Sequence, residues 1–141
     1  MPSSRSVVLD THAWLWWVGE TSDMSRRARA TIDAADAVVV PAICVWEVAL
    51  LADRGRVRID PEPLEWMRQA LAMARVAAGP LSPEVASEAA SLRREGFHSD
   101  PADRLIYATA RVLDAVLVSD DGAIRAFENS RPSRAARHLV W

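Results

Sequence analysis

The chain has 141 residues, half of them apolar and 26% charged, with a formal net charge of −2. That balance fits one globular domain with a real core, and it gives no overall charge that would draw the chain to nucleic acid or a membrane surface. All 17 basic residues are arginine, which excludes P-loop and Schiff-base lysine chemistry, and the single cysteine, Cys44, excludes an intramolecular disulfide and a cysteine-rich zinc site.

No apolar run approaches the roughly 20 residues of a membrane span, and no signal-type segment is visible, so no membrane contact and a cytoplasmic location are expected. Val7-Val8-Leu9 reads as a buried strand with Asp10 at its carboxyl end. Thr11 to Glu20 reads as a short helix with Trp14, Trp17 and Val18 on one face and Trp16 pointing elsewhere. These tryptophans are either core or a partly exposed aromatic wall for a partner. Ser22 to Asp36 is a second helix capped by Ser25, and Ala37 to Pro41 is a second buried strand closed by proline.

Ile43 to Gly55 is a helix whose apolar stripe includes Ile43, Trp46, Leu50 and Leu51. Glu47 falls on or beside that stripe, where a charge requires a partner or a metal. Arg54, Arg56 and Arg58 read as solvated. Leu64 to Ala78 is expected to be one helix, broken at Gly79-Pro80. Ser82 and Pro83 open another through Arg94, with Val85, Ala89 and Leu92 inward. Gly96 to Ser99 is a loop, and His98 is read as a loop or surface residue. Asp100-Pro101-Ala102-Asp103 opens a helix through Val112, and Arg104 is expected in an ion pair. Ala115 to Ser119 is a third strand, Asp120-Asp121-Gly122 turns into a short helix, and His138 to Trp141 is a last strand. Strands alternating with helices predict a single α/β domain over residues 1–141, with a small, mostly parallel sheet flanked by helices.

Four acids stand out by position: Asp10, Glu47, Asp103 and Asp121. In a parallel sheet the strand ends converge on one edge, so acids distant in sequence meet there. Carboxylates gathered in one place repel, and a hard divalent cation such as Mg²⁺ or Mn²⁺ relieves the repulsion with oxygen ligands. Helix capping is the competing explanation for Asp10, Asp103 and the Asp120-Asp121 pair. It explains Glu47 least well.

Val-Leu-Asp-Thr-His-Ala at 8–13, Val-Trp-Glu-Val-Ala at 45–49, Asp-Pro-Ala-Asp-Arg-Leu-Ile at 100–106 and Leu-Val-Ser-Asp-Asp at 117–121 resemble, in order, the motifs of the PIN domain family, most closely its VapC toxins. The resemblance implies a Mg²⁺- or Mn²⁺-dependent endoribonuclease that uses metal-activated water, with Asp10, Glu47, Asp103 and Asp121 as catalytic and metal-binding residues. Asp120 competes with Asp121 for the last position. Ser119 and Thr11 are hydroxyls placed to orient acids. The resemblance also implies a VapB-like antitoxin, a tRNA or rRNA substrate and a homodimer. Arg131, Arg134 and Arg137 form the best arginine patch for RNA, and Arg93 with Arg94 the second. The alternative is a non-catalytic PIN-fold module that binds RNA or protein.

Overall fold

The computed structural model describes residues 5–60, 62–132 and 138–141. Five parallel strands form one sheet in the order β3-β2-β1-β4-β5: β1 Ser6–Leu9, β2 Ala37–Pro41, β3 Val76–Gly79, β4 Val116–Val118 and β5 Leu139–Val140. Seven α-helices accompany them among the described residues: α1 Thr11–Val18, α2 Arg26–Asp33, α3 Ala42–Asp53, α4 Pro63–Leu71, α5 Pro83–Ser91, α6 Pro101–Val112 and α7 Gly122–Ser130. The sheet is wholly parallel over these residues, where the sequence predicts it mostly so. No described helix is long and apolar enough to cross a membrane.

The central strand explains itself. Val7, Val8 and Leu9 are consecutive and all buried, so β1 is covered on both faces, as an unbroken apolar run requires. Helix α6 packs against β1, β2 and β4, and α5 packs on α6. The inward residues of α5 are Val85 and Ala89, and Leu92 continues the line in a short 3-10 turn, Leu92–Glu95. From β1 the chain winds through β2 to β3 on one side, then crosses to β4 and β5 on the other. The winding reverses between β1 and β4, and in open α/β sheets the crevice at such a reversal is where sites form.

Two sequence expectations are corrected. The stretch from Leu64 to Ala78 is not one helix. Helix α4 ends with Ala72 as its cap, and Val76–Gly79 is the edge strand β3. Alanine-rich Ala77-Ala78 carries helix propensity and no strand signature, so local pattern misreads it. The stop is tertiary. Arg75 takes a left-handed backbone (φ 70°), and its guanidinium donates to the carbonyl oxygens of Ala35 and Ile32 at the end of α2. The second correction concerns α3. Its buried residues are Cys44 and Val48, and Trp46 is 57% exposed. The stripe is therefore rotated from the one expected, and Glu47 sits at its half-buried edge.

The tryptophans resolve towards core. Trp14 is fully buried against Trp66, with ring centroids 4.9 Å apart, and Trp17 is buried with its indole N–H donating to Asp33. Neither belongs to an exposed wall. Trp16 is half-buried between His12 and Trp141, each 5.5 Å away by ring centroid.

Gly79 marks a close approach of β3 to β2. A Cβ there would lie 2.7 Å from Cγ1 of Val39, a short and rigid side chain. Gly79→Ala should therefore destabilise the fold by about 1–3 kcal/mol through overpacking, read as a lower urea midpoint with an unchanged slope.

Candidate metal centre at the sheet switch point

The cleft at the carboxyl ends of β1 and β4 has a volume of about 440 Å³. Asp10, Glu47, Asp100, Asp103, Asp120 and Asp121 all line it. The three helices that begin there account for much of this. Asp10 caps α1 by accepting from Ala13 N, Asp100 caps α6 by accepting from Asp103 N, and Asp121 caps α7 by accepting from Ile124 N. Three positive helix ends thus face one crevice and favour negative charge in it. Capping and cation binding are compatible roles, because each carboxylate oxygen carries two lone pairs and a hydrogen bond uses only one of them.

Two hydroxyls fix two of the acids. Ser119, fully buried just beyond β4, donates to Oδ2 of Asp10 and accepts from Asp121 N at 3.1 Å. Thr11 donates to Oε1 of Glu47 at 2.7 Å, which supplies the partner that a half-buried carboxylate requires. Asp103 differs from the expected capping residue. Its side chain meets Nε2 of His98 at 2.7 Å. One ligand atom each from His98, Asp103 and Asp121 lie within 4.8 Å of one another. Asp10 and Glu47 line the same cleft outside that tight group. Asp120 is exposed and paired with Arg125 at 2.6 Å, whereas Asp121 is half-buried and belongs to the tight group.

Burial pushes the Asp10 carboxyl up to about 6, against the opposing hydrogen bonds from Ser119 and Ala13. Burial also raises Asp103, with Asp121 and Asp100 adding repulsion and His98 opposing it. The donor set is carboxylate oxygen with one imidazole at its edge, which fits a hard divalent cation. Cys44 is no alternative nucleophile, because burial pushes its thiol far up and its sulfur rests 3.7 Å from the Leu9 carbonyl oxygen.

Several residues read differently in three dimensions. Arg54 and Arg56, expected to be merely solvated, line the cleft beside the acids. Gly55 between them adopts a left-handed backbone (φ 68°) that turns the chain there. Arg104 makes no ion pair among the described residues and donates instead to the carbonyl oxygens of His98 and Phe97, at 2.7 and 3.0 Å. Arg131 is half-buried and bonds Tyr107 and Glu128. Arg134 and Arg137 lie outside the described residues. Arg93 and Arg94 are exposed. His98 was legible only through its position five residues before Asp103, on the far side of the capping turn.

The PIN domain family model matches residues 7–129. The chain belongs to the PIN domain family. Ribonuclease VapC22 of Mycobacterium tuberculosis is 37% identical to this PIN domain over 127 residues, covering 90% of this chain and 95% of that protein. Among solved structures, VapBC2 from Rickettsia felis bound to a DNA fragment superposes with a TM-score of 0.65 at 14% identity, covering 96% of this chain and 97% of that one. VapBC-1 from nontypeable Haemophilus influenzae gives 0.64 at 15% identity, covering 96% of each chain. At these identities the structural matches establish the PIN fold alone.

The sign of the Asp10 shift gives a test. A carboxyl raised from its ordinary 3.8 to about 6 makes ionisation unfavourable to the folded state. The metal-free PIN domain then loses stability as pH rises from about 4 to about 6, and the loss is complete above that window. Asp10→Asn keeps a capping oxygen and removes the charge. It should raise the metal-free melting temperature at pH 7.5 by about 3–6 °C. It should also flatten the stability profile across the window in a thermal melt series.

Proposed function

We propose that this PIN domain is a Mg²⁺- or Mn²⁺-dependent endoribonuclease, the toxin of a type II toxin–antitoxin pair. The observation that carries the reading is the convergence of Asp10, Glu47, Asp103 and Asp121 on one cleft at the sheet's reversal. Its likeness over nearly its whole length to a protein named a ribonuclease supports the reaction class.

These four acids are the residues that would hold the cation. When bound, a divalent cation supplies Lewis-acid relief of phosphate charge and lowers the pKa of water at the site. The protein's own contribution is preorganisation. Ser119 and Thr11 hold Asp10 and Glu47 in fixed orientations before any ligand arrives. Asp121 is held by its place at the start of α7. The rim arginines, Arg54 and Arg56, offer planar donors to phosphates of an RNA strand crossing the acids. They offset repulsion between the polyanion and the carboxylates. A tRNA or rRNA is the substrate class implied by the family.

The matched VapBC structures support a VapB-like antitoxin as the partner of this chain. In this reading the antitoxin covers the acidic cleft and presents a basic side chain to it. A homodimer belongs to the same proposal.

Asp10→Asn and Glu47→Gln should each lower RNA cleavage by more than about 100-fold, beyond the loss expected from an outer partner alone. Excess chelator should abolish cleavage by the wild-type protein. Cleavage that persists in both variants or in chelator would overturn the enzyme assignment, and RNA binding without cleavage by the wild type would favour the non-catalytic module. Replacing Arg54 and Arg56 together by alanine should raise KM several-fold with kcat little changed. The log–log salt dependence of RNA binding should fall by about 1.4, two phosphate contacts at about 0.7 each for a single strand.

A further inference from the structure

His98 is held more firmly than a loop residue requires. Gly96 turns the chain with a left-handed backbone (φ 84°), and Phe97 then inserts into the core against Tyr107 and Phe127, at centroid distances of 5.3 and 4.7 Å. The imidazole stacks on Phe97 at 4.3 Å with an interplanar angle of 22°. Arg104, in the first turns of α6, reaches back to the carbonyl oxygens of both residues. Ring and backbone are thus fixed independently, and the result is Nε2 placed 2.7 Å from Oδ2 of Asp103.

The other ring nitrogen decides what Nε2 does. Nδ1 of His98 is buried and has no hydrogen-bond partner among the described residues. A proton on Nδ1 would be a buried donor without an acceptor, a more costly arrangement than a bare imine nitrogen. The proton therefore belongs on Nε2, which donates to Asp103. A cation ligand would need the opposite tautomer, with a lone pair on Nε2 and the proton on Nδ1.

We infer that His98 is a positioning residue that fixes Asp103 for the cation by donating from Nε2 to Oδ2, and is not itself a ligand. The inference rests on the metal-binding reading proposed above. Asp103 has Asp100 and Asp121 as acidic neighbours and is partly removed from water. A neutral donor on one oxygen keeps the carboxylate in a single orientation and leaves Oδ1 for coordination. This reverses the usual arrangement, in which a carboxylate orients a metal-binding histidine.

The test uses the full chain and Mn²⁺ alone, read by titration calorimetry and pulsed electron paramagnetic resonance. His98→Ala should weaken Mn²⁺ binding by roughly 10–100-fold. His98→Gln places an amide N–H at comparable reach and should restore affinity to within about 3-fold of wild type. Wild-type Mn²⁺ should show no imidazole nitrogen hyperfine coupling. An imidazole coupling, an unchanged affinity in His98→Ala, or His98→Gln as weak as the alanine variant would each overturn the role of His98. Asp10→Asn is the control that separates the two claims. If the wild type binds no Mn²⁺, or Asp10→Asn binds it as well as wild type, the metal site itself is wrong and the role of His98 falls with it. If both behave as expected, a failure in the His98 variants removes only this inference.

Discussion

The hydrogen bond from Ser119 to Asp10 joins the ends of β4 and β1 across the point where the sheet reverses its winding. It depends on parallel pairing in one register, Leu9 beside Val118, because a shift by one residue would turn either side chain to the other face. That register is enforced by burial. Val7, Val8, Leu9, Leu117 and Val118 are all buried, so a slip would carry one of them out of the covered span and bring a polar neighbour in. The position of Asp10 is therefore a consequence of core packing, and the same hydroxyl holds the backbone of Asp121 in place.

Around this bond the fold concentrates negative charge that the chain as a whole does not have. The net charge of −2 is modest, yet six carboxylates line one cleft. Three helix N-termini reduce the cost of gathering them, but they do not remove it, as the raised Asp10 and Asp103 carboxyls indicate. Stability and site are thus in tension at the same residues. A protein optimised for stability alone would place neutral caps at these helix ends.

Much of this was readable from sequence because it depends on local rules. Apolar, β-branched runs identified β1, β2 and β4, Ser82-Pro83 and Asp100-Pro101 located two helix starts, and the acids at strand and helix ends were distinct from the background. Glu47 was placed correctly at the edge of burial for a partly wrong reason, since Trp46 faces solvent and Cys44 and Val48 face the core. A helical stripe read from composition can rotate by one position when a small residue such as Cys44 takes the inward place, here against the Leu9 carbonyl at the end of β1. Strand β3 was missed because Ala77, Ala78 and Gly79 carry no β signature, and Gly79 lies where a Cβ would crowd Val39.

The sequence by itself determined the α/β alternation, the central buried strand, most of the helix caps and the places of the acids at strand and helix ends. Each follows from periodicity, side-chain chemistry or excluded residue types acting over a few positions. Tertiary structure alone decided the strand order, the edge strand after Arg75, the burial of Trp14 and Trp17, the cleft-lining places of Arg54 and Arg56, and the contact of His98 with Asp103. Most of these features depend on which elements the sheet brings side by side. Contacts between residues far apart in the chain leave no periodic mark, so an arginine at a helix end reads as solvated until the opposite side of the cleft has been built, whereas the His98–Asp103 contact spans only five residues and depends on the turn between them.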